Sequence, residues 1–151
     1  MKYTSEIVVN LPRDRVIELF DDPDNLKEWQ PGLQSFEHVS GEQGQPGAKS
    51  RLVFNEGGRR IEMIETISRR DLPEEFSGTY ETKGAKNWIT NRFFEDGPDR
   101  TRWVAANEFQ FSGFMRVMAV FMRGAFPRQS LEFMELFKKF AEGMSPSQDL
   151  E

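Results

Sequence analysis

The 151-residue chain carries 25 acidic and 20 basic side chains, a formal net charge of −5, and no cysteine. Disulfides, zinc–thiolate sites and a cysteine nucleophile are excluded, and the acidic balance argues against a nucleic-acid partner, which needs a basic footprint. A chain of this length is expected to form one domain, residues 1–143, burying roughly 68–70% of its unfolded surface without covalent staples.

The opening MKYTSEIVVN has no long apolar core and no cleavage site, so no signal peptide is expected. With the lack of cysteine, this points to a reducing, cytoplasmic location. Residues 3–10 are rich in β-formers and read as a strand. Pro12 stands where a first helical turn accepts proline, and Val16, Ile17, Leu19 and Phe20 follow at helical spacing.

The stretch DDPDNLKEWQPG (21–32) crowds three aspartates together and raises the question of a metal site. A calcium loop needs oxygen ligands at alternating positions, a central glycine and a closing glutamate. Pro23 and Leu26 break that order, and no metal is expected. The residues suit architecture better: Asp22 caps a short helix that starts at Pro23, where acidic residues also favour the helix dipole. Trp29 anchors the end of that helix, and Pro31-Gly32 turns the chain into the next strand.

Strand-like runs follow at 34–40, 50–55, 60–68, 75–82, 87–95 and 101–112. Gly57-Gly58 predicts a tight hairpin, and 71–73, 83–84 and 96–99 carry turn residues. Short turns between consecutive strands mean an antiparallel meander, because parallel strands need long crossovers. The glycine-rich GEQGQPG (41–47) lacks a following helix and a Walker lysine, and reads as a hairpin loop.

From Gly113 the apolar period becomes helical, with Phe114, Val117, Met118, Phe121 and Met122, then Leu131, Phe133, Met134, Leu136, Phe137 and Phe140. The spacing predicts either one helix kinked at Pro127 or a short helix leading into a long one, ending near Gly143. Both segments are expected to be substantially buried, since their apolar surface exceeds a narrow stripe. The run FMRVMAVFM (114–122) is far short of the ~20 residues of a membrane span and contains Arg116, so no stable membrane insertion is expected. The tail GMSPSQDLE (143–151) is small and polar; residues 144–151 are expected to be disordered, with Leu150-Glu151 a cloning remnant.

Chemistry-bearing residues are sparse. His38, the only histidine, sits in a strand with no paired nucleophile and reads as a surface or packing residue. There is no Gly-x-Ser-x-Gly elbow, and no cofactor is expected. Period-two alternation puts Trp103, Ala105, Asn107, Phe109 and Phe111 on one face, apolar except for Asn107. Ile61, Met63, Glu65 and Ile67 share another, as do Phe76, Gly78, Tyr80 and Thr82. Glu65 needs a partner if it faces inward. Arg92 and Arg51 are the candidates, and a strand bulge that puts Glu65 outside is the alternative.

The order strand, two short helices, six strands, long helix resembles the START-like (SRPBCC) superfamily, in particular its polyketide cyclase/dehydrase and lipid-transport branch. The resemblance covers about residues 2–142. It rests on Ile7-x-Val9-x-x-Pro12-x-x-x-Val16-x-x-x-Phe20-x-Asp22, on Trp29-x-Pro31-Gly32, and on the strands and terminal helix that follow. It implies an α+β helix-grip fold, in which a curved seven-stranded antiparallel sheet wraps a long C-terminal helix and two short helices lie between the first and second strands.

The resemblance also implies a cavity between that helix and the sheet. The expected occupant is a hydrophobic or amphipathic small molecule: a lipid, polyketide, isoprenoid or aromatic metabolite. Trp88, Trp103, Phe109, Met118 and Met122 would form apolar walls, and Tyr80, Glu65, Arg92 and Asn107 would orient the polar end. Access is expected near the two short helices. The resemblance leaves two other readings open. One is a cyclase or dehydratase using Glu65 and Tyr80. The other is a protein-interaction module like the heat-shock ATPase activators of this fold. Oligomeric state is not legible in the sequence.

Overall fold

A computed structural model describes residues 1–144. The strands are β1 (Lys2–Val9), β2 (Leu33–Ser40), β3 (Lys49–Glu56), β4 (Arg59–Asp71), β5 (Glu75–Thr82), β6 (Ala85–Glu95) and β7 (Thr101–Phe111). The helices are α1 (Arg13–Phe20), α2 (Leu26–Trp29), α3 (Phe114–Phe121) and α4 (Ala125–Gly143). The seven strands form one antiparallel sheet in the order β1-β7-β6-β5-β4-β3-β2, so the first strand closes on the last. The meander expected from the short turns is present, and α4 lies against it as in a helix grip. The tail beyond Met144 lies outside the described residues. Met144 itself is half-buried against the core.

The expected turn chemistry has clear physical causes. Gly57 and Gly58 both take positive φ, 57° and 84°, as a two-residue hairpin turn between β3 and β4 requires. Gly32 has φ 81°, and a Cβ there would stand 2.5 Å from the Asn55 carbonyl oxygen, so only glycine lets β2 start flush against β3.

In DDPDNLKEWQPG the cap is real. Asp22 Oδ1 accepts from the Asp24 N–H at 2.9 Å and starts a single 3₁₀ turn, Pro23–Asn25, that runs into α2. Asp22→Ala is expected to lower stability by about 1 kcal/mol, read as a Tm drop of about 2–4 °C by circular dichroism. Asp21 has a role that the sequence did not disclose. Its carboxylate takes both terminal nitrogens of Arg70, at 2.7 and 2.5 Å, and ties the end of α1 to β4. The Arg70 guanidinium is held above its ordinary pKa mainly by this hydrogen-bonded partner.

A bulge makes that ion pair possible. β4 runs to Asp71, beyond the expected end at Ser68, because its register against β5 shifts between Ile67 and Arg69. Ile67 opposes Gly78 and Arg70 opposes Phe76, so the extra residue turns Arg69 outward and Arg70 toward α1. The bulge falls after Glu65, which therefore stays on the inner face.

Two apolar clusters lie under the sheet. The larger joins Val9, Val16, Leu19, Trp29, Phe93, Trp103, Met134 and Phe137; the smaller joins Leu33, Leu52 and Phe54 with Leu26, Met63 and Tyr80 at its margin. α4 runs alongside β1. The Tyr3 hydroxyl and Ser130 Oγ are 2.6 Å apart, and Lys138 Nζ donates to the Val8 carbonyl at 2.7 Å.

The terminal helical region is two helices, broken at residues 122–124. Pro127 causes no kink: it sits in the first turn of α4, where its missing N–H leaves no bond unmade. The expected burial holds for α4 but not for α3. Phe114, Val117, Val120 and Phe121 are exposed, and Ala119 is the one buried residue of that helix. The cause is position: α3 follows β7 directly and rests on β7 and the β5–β6 turn, which cover only one side of it. Among the described residues, no helix is long and apolar enough to cross a membrane.

Candidate functional site

The register places a polar belt across an apolar face. Ser50 opposes Glu65, Glu65 opposes Tyr80, and Tyr80 opposes Asn87, so four neighbouring strands each contribute one polar side chain in a row. Tyr80 Oη donates to Glu65 Oε2 at 2.6 Å. Asn87 Nδ2 donates to Asn107 Oδ1 at 3.2 Å and links the row to β7. Asn107 is buried, and its own Nδ2 has no hydrogen-bond partner.

Aromatic clusters bracket the belt along the strands. On one side Trp103 packs with Phe20, Trp29, Phe93 and Phe137, at ring-centroid distances of 5.3 to 6.1 Å from it. On the other, Phe109 and Phe111 stack at 5.6 Å and Phe126 of α4 covers both, at 5.2 and 5.3 Å. The belt is thus set in an apolar frame made by the sheet and α4.

That frame shifts the titrations of the central pair. Burial raises the Glu65 carboxyl above the ordinary carboxylate range, and the Tyr80 hydroxyl holds part of that rise back. Burial, with the nearby Glu65 charge, pushes the Tyr80 phenol well above its ordinary value, so Tyr80 is a fixed donor at neutral pH.

Several expected contacts fall elsewhere. Glu65 pairs with neither arginine. Arg92 faces the other side of the sheet and meets Glu75 at 3.4 Å, while Arg51 meets Glu62 at 3.0 Å. Trp88 opposes Thr79 and Glu108 on that outer face, with the Lys86 ammonium 4.8 Å above its ring. One residue of alternation separates both Trp88 and Arg92 from the inner row of Asn87, Ile89, Asn91 and Phe93.

Met118 on α3 and Met122 just past its end lie at the periphery, Met118 half-buried and Met122 exposed. Trp103 is inward but part of the packed cluster, its Nε1 donating to Asn91 Oδ1 at 2.9 Å. Tyr80, Glu65, Asn107 and Phe109 do converge on the inner face. His38 is exposed, and its Nε2 bonds the Gly41 carbonyl oxygen at 2.8 Å across the following turn. Ser50, Asn87 and Phe126 were not foreseen.

Two surface hollows, of ≈ 270 and ≈ 360 Å³, touch none of the belt residues. The first is lined by charged residues around Arg13, Glu74 and Arg92, the second by Glu132, Glu135, Leu136 and Lys139 on α4. At the α2 end of the frame, Trp29 seats against Phe137 at 5.2 Å and must move if that end opens.

A seven-stranded antiparallel sheet that grips a long C-terminal helix, with an apolar inner face and a short polar belt, defines a START-like helix-grip domain. Residues 1–142 match the family described as polyketide cyclase / dehydrase and lipid transport, and the chain belongs to that family. No curated protein matches the chain.

Among solved structures, a conserved protein from Geobacillus kaustophilus superposes with a TM-score of 0.82 at 14% identity, over 95% of this chain and 97% of that one. The ZhuI aromatase/cyclase from Streptomyces sp. R1128 gives 0.81 at 14% identity, over 95% and 94%. A START superfamily protein from Mycobacterium smegmatis gives 0.76 at 12% identity, over 95% and 99%. At these identities the likeness is one of fold.

Proposed function

We propose that residues 1–143 act as one domain that binds a hydrophobic or amphipathic small molecule (a lipid, polyketide, isoprenoid or aromatic metabolite) between α4 and the inner face of the sheet. The observation that carries this reading is the buried Asn107 Nδ2, a donor without an acceptor in an otherwise apolar frame. Such a group costs on the order of 1–3 kcal/mol until it is satisfied, and a ligand carbonyl or hydroxyl would satisfy it. Tyr80, Glu65 and Asn87 would orient the same polar end, while Phe109, Phe111 and Phe126 would hold the apolar body. The acidic balance and missing cysteines keep the reading cytoplasmic and without a nucleic-acid partner.

Native mass spectrometry of gently purified protein is expected to show a bound small molecule. A panel of lipids and polyketides is expected to raise Tm for at least one class, and Asn107→Leu to weaken that ligand about tenfold, the worth of one hydrogen bond. No bound mass and no Tm shift across the panel would reject the reading.

One observation favours a second reading, a cyclase or dehydratase. A carboxyl raised by burial beside a phenol is a site where acid–base chemistry is found. It requires that turnover of a polyketide-like substrate fall in the Glu65→Gln, Tyr80→Phe double variant; unchanged turnover rejects it.

A further inference from the structure

The strongest feature outside the belt is α3. Phe114 is 75% exposed, Phe121 81%, Val120 66% and Val117 54%, on a helix of eight residues. At 3.6 residues per turn these four occupy a single arc of roughly 120°, turned away from the buried Ala119. The opposite side is seated on the protein: a Cβ at Gly84 would stand 2.7 Å from Met115 Cγ, so Met115 lies directly on the β5–β6 turn. The apolar arc therefore faces solvent because the helix is already docked by its other side.

The charge around this arc is one-sided. Residues 109–131 contain Arg116, Arg123 and Arg128 and no aspartate or glutamate, in a chain whose net charge is −5. All three arginines are exposed, and among the described residues none has an ion-pair partner. Lys83, in the turn that Met115 touches, is exposed and equally unpaired. Apolar side chains flanked by unpaired cations on a short surface helix match a lipid bilayer interface.

We propose that α3 docks the protein on an anionic bilayer surface. Phe114, Val117, Val120 and Phe121 enter the boundary between headgroups and acyl chains. Arg116, Arg123 and Arg128, with Lys83, meet lipid phosphates and carboxylates. A second copy of the chain fits this face less well. Two α3 helices laid together would bring the same arginines into opposition, and a helix about 12 Å long offers far less than the ~800 Å² per partner of a stable interface. The docking is peripheral, since eight residues cannot span a bilayer. It does not rest on the small-molecule reading, because the ligand-free chain should bind vesicles by itself.

Cosedimentation of the intact chain with phosphatidylcholine vesicles carrying about 30% phosphatidylserine tests this. Binding is expected, at least about tenfold weaker on phosphatidylcholine alone and at high salt. Phe114→Ser with Phe121→Ser, and separately Arg116→Glu with Arg123→Glu, should each remove it while leaving the melting curve unchanged, since all four side chains are exposed. In a Phe121→Trp variant, added vesicles should shift the indole emission to the blue. No binding to anionic vesicles overturns the proposal, and so does binding that ignores lipid charge. A dimer in solution that Phe121→Ser converts to monomer would assign the face to a protein contact instead.

Discussion

Phe137→Ala is expected to destabilise the protein by about 3–5 kcal/mol. The Phe137 side chain has no solvent exposure and stands on α4 facing Phe20, Trp29 and Trp103 at centroid distances of 6.0, 5.2 and 5.3 Å, edge to face with each. Truncation removes the ring and leaves a cavity walled by aromatic side chains on three different elements, α1, α2 and β7. None of these rings can swing in without abandoning its own contacts, so the void stays. Edge-to-face pairs of this kind contribute about 0.5–1.5 kcal/mol each beyond area burial.

For a domain whose total stability is of order 5–15 kcal/mol, the loss is a large fraction, visible as a Tm drop on the order of 10 °C. Leu131→Ala is the control on the same helix. Leu131 is 39% exposed and absent from both clusters, and its truncation is expected to shift stability by about 0.5 kcal/mol. A Phe137→Ala loss below about 1 kcal/mol would mean that the five-ring cluster repacks, and α4 would then not be clamped where the inner frame needs it.

How much of this frame the sequence disclosed depends on the turns. The Gly57-Gly58 turn pairs Glu56 with Arg59, and counting back from it puts Ser50 opposite Glu65. The Lys83-Gly84 turn pairs Thr82 with Ala85, which puts Asn87 opposite Tyr80. Both partners were therefore legible from turn length and alternation. The contact between Glu65 and Tyr80 was not, because the bulge between Ile67 and Arg69 shifts the register by one residue and nothing in RRIEMIETISRRD announces it.

The same arithmetic exposes the misplacement of Trp88 and Arg92. They are even-numbered neighbours of the inward Asn87, Asn91 and Phe93, and parity places them on the outer face. For α3 the sequence read apolar content as burial. Burial depends on where a helix lands, and α3 lands on β7 and the β5–β6 turn, which cover only one side of it.

Tyr80→Phe is expected to lower stability by about 1.5–3 kcal/mol, with a pH dependence that identifies the cause. The folded Glu65 carboxyl sits above its ordinary range because burial disfavours the charge. Between the ordinary carboxylate pKa and that raised value, the folded state binds more protons than the unfolded state. This group therefore makes stability fall as pH rises through the window, and the penalty is complete above it. The Tyr80 hydroxyl, 2.6 Å from Glu65 Oε2, limits that penalty by donating to the charged form.

Without the hydroxyl the carboxyl moves higher still, so the fall with pH becomes steeper and extends further. Denaturant melts are expected to show the full loss at about pH 8 and a loss nearer 1 kcal/mol at about pH 4, where the carboxyl is protonated and only a neutral hydrogen bond is missing. Glu65→Gln keeps an acceptor for Tyr80 and removes the charge, so it should exceed the natural protein in stability on the alkaline side and converge with it in acid. The double variant closes the cycle and isolates the pair's coupling. A Tyr80→Phe loss that is the same at both pH values would show that Glu65 carries no charge-dependent contact with the phenol. The belt would then be only a neutral hydrogen-bonded row.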